Sequence, residues 1–294
     1  MEQTNAVRVH RKKRSLWADA WIRMRRNPTA VIGMAMFIVI LAICFLSPLY
    51  ISYEKNVISP DLKTVRQFPA QGHLLGTDEL GRDILCRIIW GGRTSISIAL
   101  AATVLSSLLG IVIGSVAAYY GKAVDNIIMR FADVFMAIPS MLLMITLVSV
   151  LQPTVTNLVI AMSVSGVPGI ARIVRGQLLS VMRNEYIDAV RGMGASSFRI
   201  VVKHALPNAL SPLISQIVSS VAGEIMAISG LSFIGIGIQS PAPEWGAMLA
   251  TGRTYIRDQP YMTTFPGIAI VLVVVSLTLL GDGLRDALDP RMKR

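Results

Sequence analysis

Six long apolar runs, at 29–50, 94–119, 127–151, 154–170, 211–238 and 264–280, constrain this chain more than any other feature. A helix needs roughly 20 apolar residues to cross a hydrocarbon core of about 30 Å. Inside lipid no water satisfies a backbone N–H or C=O, so each run has to close its hydrogen bonds within itself as an α-helix. The fourth run is the weakest, because Gly166, Pro168 and Gly169 interrupt it. The expected fold is an all-α membrane protein with six transmembrane helices. Only 15% of the residues are charged, against about a quarter in soluble domains.

The charges between the runs set an expected orientation. Residues 1–28, 119–130, 171–210 and 281–294 alternate in position with the other connections and hold 20 of the 28 Lys and Arg. Basic excess marks the cytoplasmic side. Both termini are therefore expected in the cytoplasm, together with the 171–210 connection. The same distribution argues against nucleic acid as the partner of a chain with net charge +11, since the basic residues sit in alternate loops of a membrane protein rather than on one binding face.

The chain divides into a basic segment at 1–28, a first span at 29–50, an extracytoplasmic connection at 51–92, a core of five spans at 93–285 and a tail at 286–294. Trp17 and Trp21 stand four apart, so one face of a short helix can rest at the lipid interface. The first run is too long for the apolar part of a cleavable signal. Cys44 and Cys86 are too few for a disulfide framework, and no CxxC pair exists.

Residues 184–212, NEYIDAVRGMGASSFRIVVKHALPNALSP, lie between apolar runs yet carry Arg191, Arg199, Lys203 and His204. Asn184 suits a helix N-cap, with Glu185 in the first turn where the helix dipole favours an anion. Ile187, Val190 and Met193 fall near one face. Gly192 and Gly194 permit a tight reversal, and Ser196 or Ser197 can cap a second helix. Phe198, Val201, Val202, Ala205 and Leu206 follow the spacing of one apolar face. The expected form is helix, glycine bend, second helix. From spacing alone it serves equally as an element inserted in a partner's groove or as an amphipathic loop on anionic headgroups.

Asp188-Ala189-Val190, then Gly194, then His204-Ala205-Leu206-Pro207 resembles the EAA loop of ABC-importer permeases, which docks onto a cytoplasmic ATPase. Asp188 stands where that family usually has Glu, and His204 where it usually has an aliphatic residue. The stretch from His73 to Arg87, HLLGTDELGRDILCR, resembles the HxLGTDxxGRD signature of the dipeptide, oligopeptide and nickel branch. Gly230 to Gly237, running into Pro243-Glu244-Trp245-Gly246, looks like that branch's LSFLGLG…PEWG segment. The ending from Gly281 to Arg291 matches as well. The likeness covers the chain from about residue 20 to its end.

This resemblance implies an ABC type I importer permease fold in the inner membrane. It implies a homologous permease subunit, two ABC ATPase subunits that bind ATP and Mg, and an extracytoplasmic solute-binding protein as partners. Asp188, Ala189, Val190, Gly194, His204, Leu206 and Pro207 then carry the coupling to the ATPases. The implied substrates are di- or oligopeptides, with nickel, a metal chelate or a glutathione-type peptide as the alternatives. The absence of a His or Cys ligand set favours peptides over bare metal.

Three further features rest on the residues themselves. Gly76 and Gly81 permit tight turns, and Asp78, Arg82 and Asp83 can form an ion-pair network holding the external loop. The other reading has Asp78, Glu79 or Asp83 meeting a substrate amine or the binding protein. The Trp245 segment reads as a re-entrant or interfacial external element. Glu224 sits near the middle of the fifth run, where a carboxylate is costly unless it faces a cavity or a partner. It is either a translocation-path or sister-subunit residue, or a protonated carboxyl hydrogen-bonded between helices.

The chain has no GxxxxGK[ST] cradle for a nucleotide, so no cofactor of its own is expected. With only three His, no HExxH and no GxSxG, neither a metal site nor an enzyme is expected. A secondary transporter working without an ATPase is the rival from another class.

Overall fold

The structure, a computed structural model, describes residues 16–288, without the side chains of 16–20 and 211. The basic run at 8–14, the side chain of Trp17 and the end of the terminal motif at 289–291 therefore lie outside the described residues. No strand occurs among the described residues.

Helix α1 (Leu16–Arg26) leads into α2 (Pro28–Phe45). Asn27 separates them. Its side-chain oxygen accepts from Thr29 N at 3.1 Å and Ala30 N at 3.5 Å, and Pro28 supplies the fixed φ that suits a first helical position. Met24 of α1 packs on Ala30 and on Ala287 near the other end of the chain.

Helix α3 (Ile84–Tyr120) has 37 residues, about 55 Å at the helical rise. It begins ten residues before the expected span, inside the segment assigned to the 51–92 connection. Asp83 makes this start, accepting from Cys86 N at 2.8 Å. The early turns lie under protein rather than in lipid, with Ile84 packed on Met248 and Tyr261.

The third expected span, 127–151, is broken. Helices α4 (Lys122–Ala137) and α5 (Ser140–Leu151) meet at 87°. Pro139 has no N–H to continue the ladder and pushes Ile138 to an extended backbone, φ −85° and ψ 126°.

Helix α6 (Val155–Met182) runs through Pro168 without ending and continues twelve residues past the expected limit at 170. Arg172 and Arg175, inside the expected 171–210 connection, pair with Asp133 and Asp125 of α4. A short helix α7 (Glu185–Gly192) and a single turn α8 (Ser197–Arg199) follow. Helix α9 (Leu206–Phe233) begins earlier and ends earlier than the expected 211–238. Helix α10 (Trp245–Gly252) is short, and α11 (Tyr261–Leu288) extends both ends of the expected 264–280. Residues 286–288 are therefore helix rather than tail.

Among the described residues, five helices (α2, α3, α6, α9, α11) are long and apolar enough to cross a membrane, and the bent α4–α5 pair makes up to six. Alternation along the chain places α1, the α3–α4 turn, α7, α8 and the end of α11 on one side of the bundle. The 46–83 connection and α10 lie on the other.

The longest interface is α3 against α6. Gly110 lets the two backbones approach, since a Cβ there would lie 2.6 Å from Ile170 Cγ2. Ala102, Leu158, Ala161, Met162, Ile228 and Leu231, all fully buried, form the centre where α3, α6 and α9 meet.

Candidate functional site

The 184–207 region is a helix–turn–helix, but its second half is not a separate helix. Asn184 occupies the N-cap backbone position, φ −79° and ψ 139°, and its carbonyl accepts from Ile187 N at 2.9 Å. Its side chain does not cap. The amide donates instead to Val181 O at 2.9 Å. Glu185 and Asp188 stand in the first turn, where they offset the positive end of the dipole.

At the far end Met193 N donates to Ala189 O at 3.1 Å and Gly194 N to Arg191 O at 3.0 Å. Gly194 holds φ +77°, the left-handed region that glycine enters without cost. Ser196 then accepts from Arg199 N at 3.4 Å.

From Ser197 the chain stays helical to Phe233. Helix α8 passes into a π-helical turn, Ile200–Ala205, and that passes into α9 with Arg199, Ile200 and Leu206 all right-handed. The π turn splits the expected apolar face. Buried positions fall at Ile200, Ala205, Ala209 and Leu213, spaced five, four and four, because the wide turn takes one more residue than an α turn. Phe198 and Val202 are thrown outward, 76% and 43% exposed, and Met193 is 78% exposed. Ile187 alone of the first helix's face is fully buried, with Val190 packed beside it.

These displacements create a surface. Tyr186, Met193, Phe198 and Val202 present apolar area outside the bundle, fringed by Arg191, Arg199 and Lys203. Arg191 pairs with the exposed Asp188 at 3.2 Å. Ala189 and Pro207 are exposed, while His204 and Leu206 are half-buried. Exposed apolar area ringed by charge, on the side of the bundle away from the 46–83 connection, marks an interaction surface.

Tyr186 and Asn208 escaped the sequence reading, yet they join the two halves. The Tyr186 hydroxyl donates to His204 O at 3.4 Å and accepts from Asn208 Nδ2 at 3.1 Å, and the same amide donates to His204 O at 2.7 Å. The distance from α7 to the start of α9, about twenty residues in sequence, hid the pair.

The loop signature lies at the opposite end of the bundle. Asp78 Oδ2 accepts from Arg82 Nε at 2.7 Å and faces Arg87 Nε at 3.3 Å, while Glu79 Oε1 accepts from Arg82 Nη2 at 3.0 Å. Arg87 also donates to Val57 O at 2.7 Å and Pro241 O at 3.3 Å, tying the 46–83 connection and the α9–α10 connection to α3. Asp83 does not join this network. It caps α3 and pairs with His73 at 2.9 Å. Gly76 and Gly81 both take positive φ, +81° and +76°. Burial, with the Asp78 carboxylate beside it, pushes the Glu79 carboxyl above its ordinary range, against the pull of Arg82 and Arg87.

Behind that loop, Trp245 is buried and donates to Ile88 O at 2.8 Å. Glu244, which the sequence reading did not single out, is fully buried. It accepts from Ser95 Oγ and from Ala247 N, each at 2.9 Å, and so starts α10.

Glu224 lies mid-way along α9, half-buried, between the two ends. It makes no hydrogen bond or ion pair among the described residues. Ser219 and Ser220 beside it donate to their own helix, to Ser215 O and Gln216 O. The interhelical hydrogen bond of the second reading is therefore not formed.

Residues 110–294 match the family described as binding-protein-dependent transport system inner membrane component, and residues 15–69 match the N-terminal TM domain of oligopeptide transport permease C. Among curated proteins, the chain is 37% identical over 279 residues to a dipeptide transport system permease protein, DppC, of Alkalihalophilus pseudofirmus, covering 95% of this chain and 91% of that one. It is 36% identical over 290 residues to the oligopeptide transport system permease protein OppC of Bacillus subtilis, covering 99% and 94%. It is also 36% identical over 280 residues to the glutathione transport system permease protein GsiD of Pectobacterium atrosepticum, covering 95% and 93%. A solved inward-facing structure of the MetNI methionine ABC transporter superposes with a TM-score of 0.58 at 18% identity, covering 69% of this chain and 96% of that one. That likeness establishes the fold.

Proposed function

The chain belongs to the family of binding-protein-dependent transport system inner membrane components, and from that premise we propose that it imports di- or oligopeptides using ATP hydrolysed on partner subunits. It is a multi-pass inner-membrane permease of the ABC importer class. The peptide assignment draws support from relatives named for dipeptide, oligopeptide and glutathione transport. In this reading a homologous permease completes the translocation path, and two ATPases bind ATP and Mg on the cytoplasmic side. An external solute-binding protein delivers the substrate.

The observation that carries the coupling is continuity. The exposed Phe198 and the membrane-embedded Glu224 belong to one uninterrupted helical rod, Ser197 to Phe233. An ATPase holding the Tyr186–Met193–Phe198 surface therefore grips α9 itself. Closure of the ATPases on nucleotide moves the rod as a rigid body, and its packing on α3, α6 and α11 converts that movement into alternating access. Asp188, Ala189, Val190, Gly194, His204, Leu206 and Pro207 supply the shape and support of the gripped end. The charged loop around Asp78 and Arg82 keeps the opposite end fixed.

Uptake of labelled dipeptide and labelled nickel, in cells with and without this gene, tests the assignment. Loss of dipeptide uptake alone is expected. Loss of nickel uptake alone overturns the peptide assignment and leaves the coupling surface in place.

A further inference from the structure

Beside the Asp78 network lies a cavity of about 20 Å³, walled by Asp78, Glu79 and Arg82 of the 46–83 connection, Arg87 of α3, Thr251 of α10 and Met262 of α11. A single water needs roughly 10–15 Å³. The space is therefore water-sized, and four separate elements close around it. The hydrogen bonds of its wall leave one donor and one acceptor open. Arg82, whose side chain is 3% exposed, donates from Nε to Asp78 and from Nη2 to Glu79 Oε1. Its Nη1 is buried and has no partner among the described residues, and neither has the buried Glu79 Oε2. A buried charged group left unpaired costs more than an ordinary hydrogen bond contributes, so these two atoms call for a third group. On the α10 side of the wall, the Thr251 hydroxyl donates to Ala247 O at 3.2 Å. Its oxygen remains able to accept.

Water matches this wall and ions do not. A water accepts from a guanidinium and donates to a carboxylate and to a hydroxyl, which is the number of bonds a buried water typically makes. It also accepts from a protonated carboxyl, so the fit holds for either form of Glu79. A metal ion would face two guanidinium groups, and an anion would face two acids.

We propose that this cavity binds one ordered water, which accepts from Arg82 Nη1 and bridges Glu79 Oε2 to Thr251 Oγ1. The water joins the 46–83 connection to α10. From α10 the contact continues to α9, since a Cβ on Gly246 would lie 2.3 Å from Ser229 O and the two backbones touch there. The site thereby anchors the Ser197–Phe233 rod at the end remote from the 184–207 surface.

The test begins with an electron-microscopy map of the assembled transporter in lipid nanodiscs, at a resolution that shows ordered water. A peak about 2.7–3.2 Å from all three atoms is expected. A map that resolves the three side chains and shows no peak between them overturns the proposal. So does direct closure of Arg82 and Glu79 into a two-bond pair, or a peak with the longer contacts of a halide.

Two variants test the bridge itself. Thr251→Val keeps the shape and removes the hydroxyl, while Thr251→Ser keeps the hydroxyl. The Val variant should lose the peak. Its hydrogen exchange should rise severalfold in α10 and also at the Leu80 and Arg82 amides, which donate to Asp78 Oδ1 on the other side of the cavity. The Ser variant should match wild type at Leu80 and Arg82. A peak that survives Thr251→Val, or exchange that rises in α10 alone, overturns the bridge, because the hydroxyl then supports only its own helix. If the Val variant fails to assemble, the wild-type map decides.

Discussion

The Tyr186 hydroxyl reaches the carbonyl oxygen of His204 at 3.4 Å, joining α7 to the π turn that leads into α9. This contact makes the two halves of the 184–207 region one body. Tyr186→Phe removes it together with the bond from Asn208, at a cost of about 1 kcal/mol. The variant should insert and assemble normally. Hydrogen exchange at the Ile187 amide should rise severalfold, and ATP-driven uptake should fall.

Gly194 turns the chain at φ +77°, with open space where a Cβ would stand. Replacement therefore costs backbone strain rather than collision, about 1–2 kcal/mol for an ordinary side chain. Gly194→Asp should insert in the membrane and lose uptake. Gly194→Asn, a residue that enters this region more easily, should retain a measurable part of it. Uptake by vesicles carrying each variant distinguishes the two.

Asp78 faces both Arg82 and Arg87 in a buried site. Asp78→Asn leaves two guanidinium groups under-compensated and should cost about 3–5 kcal/mol. A lowered Tm of the purified protein, with unchanged ATPase binding at the far end, is the expected result.

Glu79 titrates above the ordinary carboxylate range, mainly through burial. Its protonated form is the one that folding favours. Its stabilising contribution is thus fully present below the unfolded carboxylate pKa and is lost as pH rises through the raised folded value. The Tm of wild type minus that of Glu79→Gln should therefore decline with rising pH across that window. A difference that grows with pH contradicts this account.

Gly110 sits where any side chain would strike Ile170. Gly110→Leu should separate α3 from α6 and cost about 1–3 kcal/mol or more, read as reduced yield of folded protein from detergent. Gly121, with nothing within 4 Å, offers space for comparison, although its φ of +58° adds backbone strain there.

The positions of the spans were readable from apolar run length, because lipid leaves the backbone few alternatives. The turn at Gly194 was readable from glycine chemistry. The limits of α6 were not. Arg172 and Arg175 look like the start of a loop, and the acids that accommodate them, Asp133 and Asp125, lie 39 and 50 residues away. No local window contains that compensation. The break at Pro139 had a local signal, outweighed by the apolar residues on both sides. The buried face of the second half of the 184–207 region differs from the expected one because the π turn shifts the phase after Ile200, and spacing rules for an α-helix do not anticipate an extra residue. Glu244 and Tyr186 acquire their roles only through partners far along the chain.

The rigid rod is best tested by distances between spin labels in the assembled transporter. Labels at positions 198 and 226, both exposed, stand about 40 Å apart along a continuous helix. A third label at position 38 on α2 gives an outside reference. With Cys44 and Cys86 replaced by Ala, ATP should leave the 198–226 distance unchanged and shift the 198–38 distance by several ångströms. A 198–226 distance that changes with nucleotide would place a hinge at the Ile200–Ala205 turn and contradict transmission through α9.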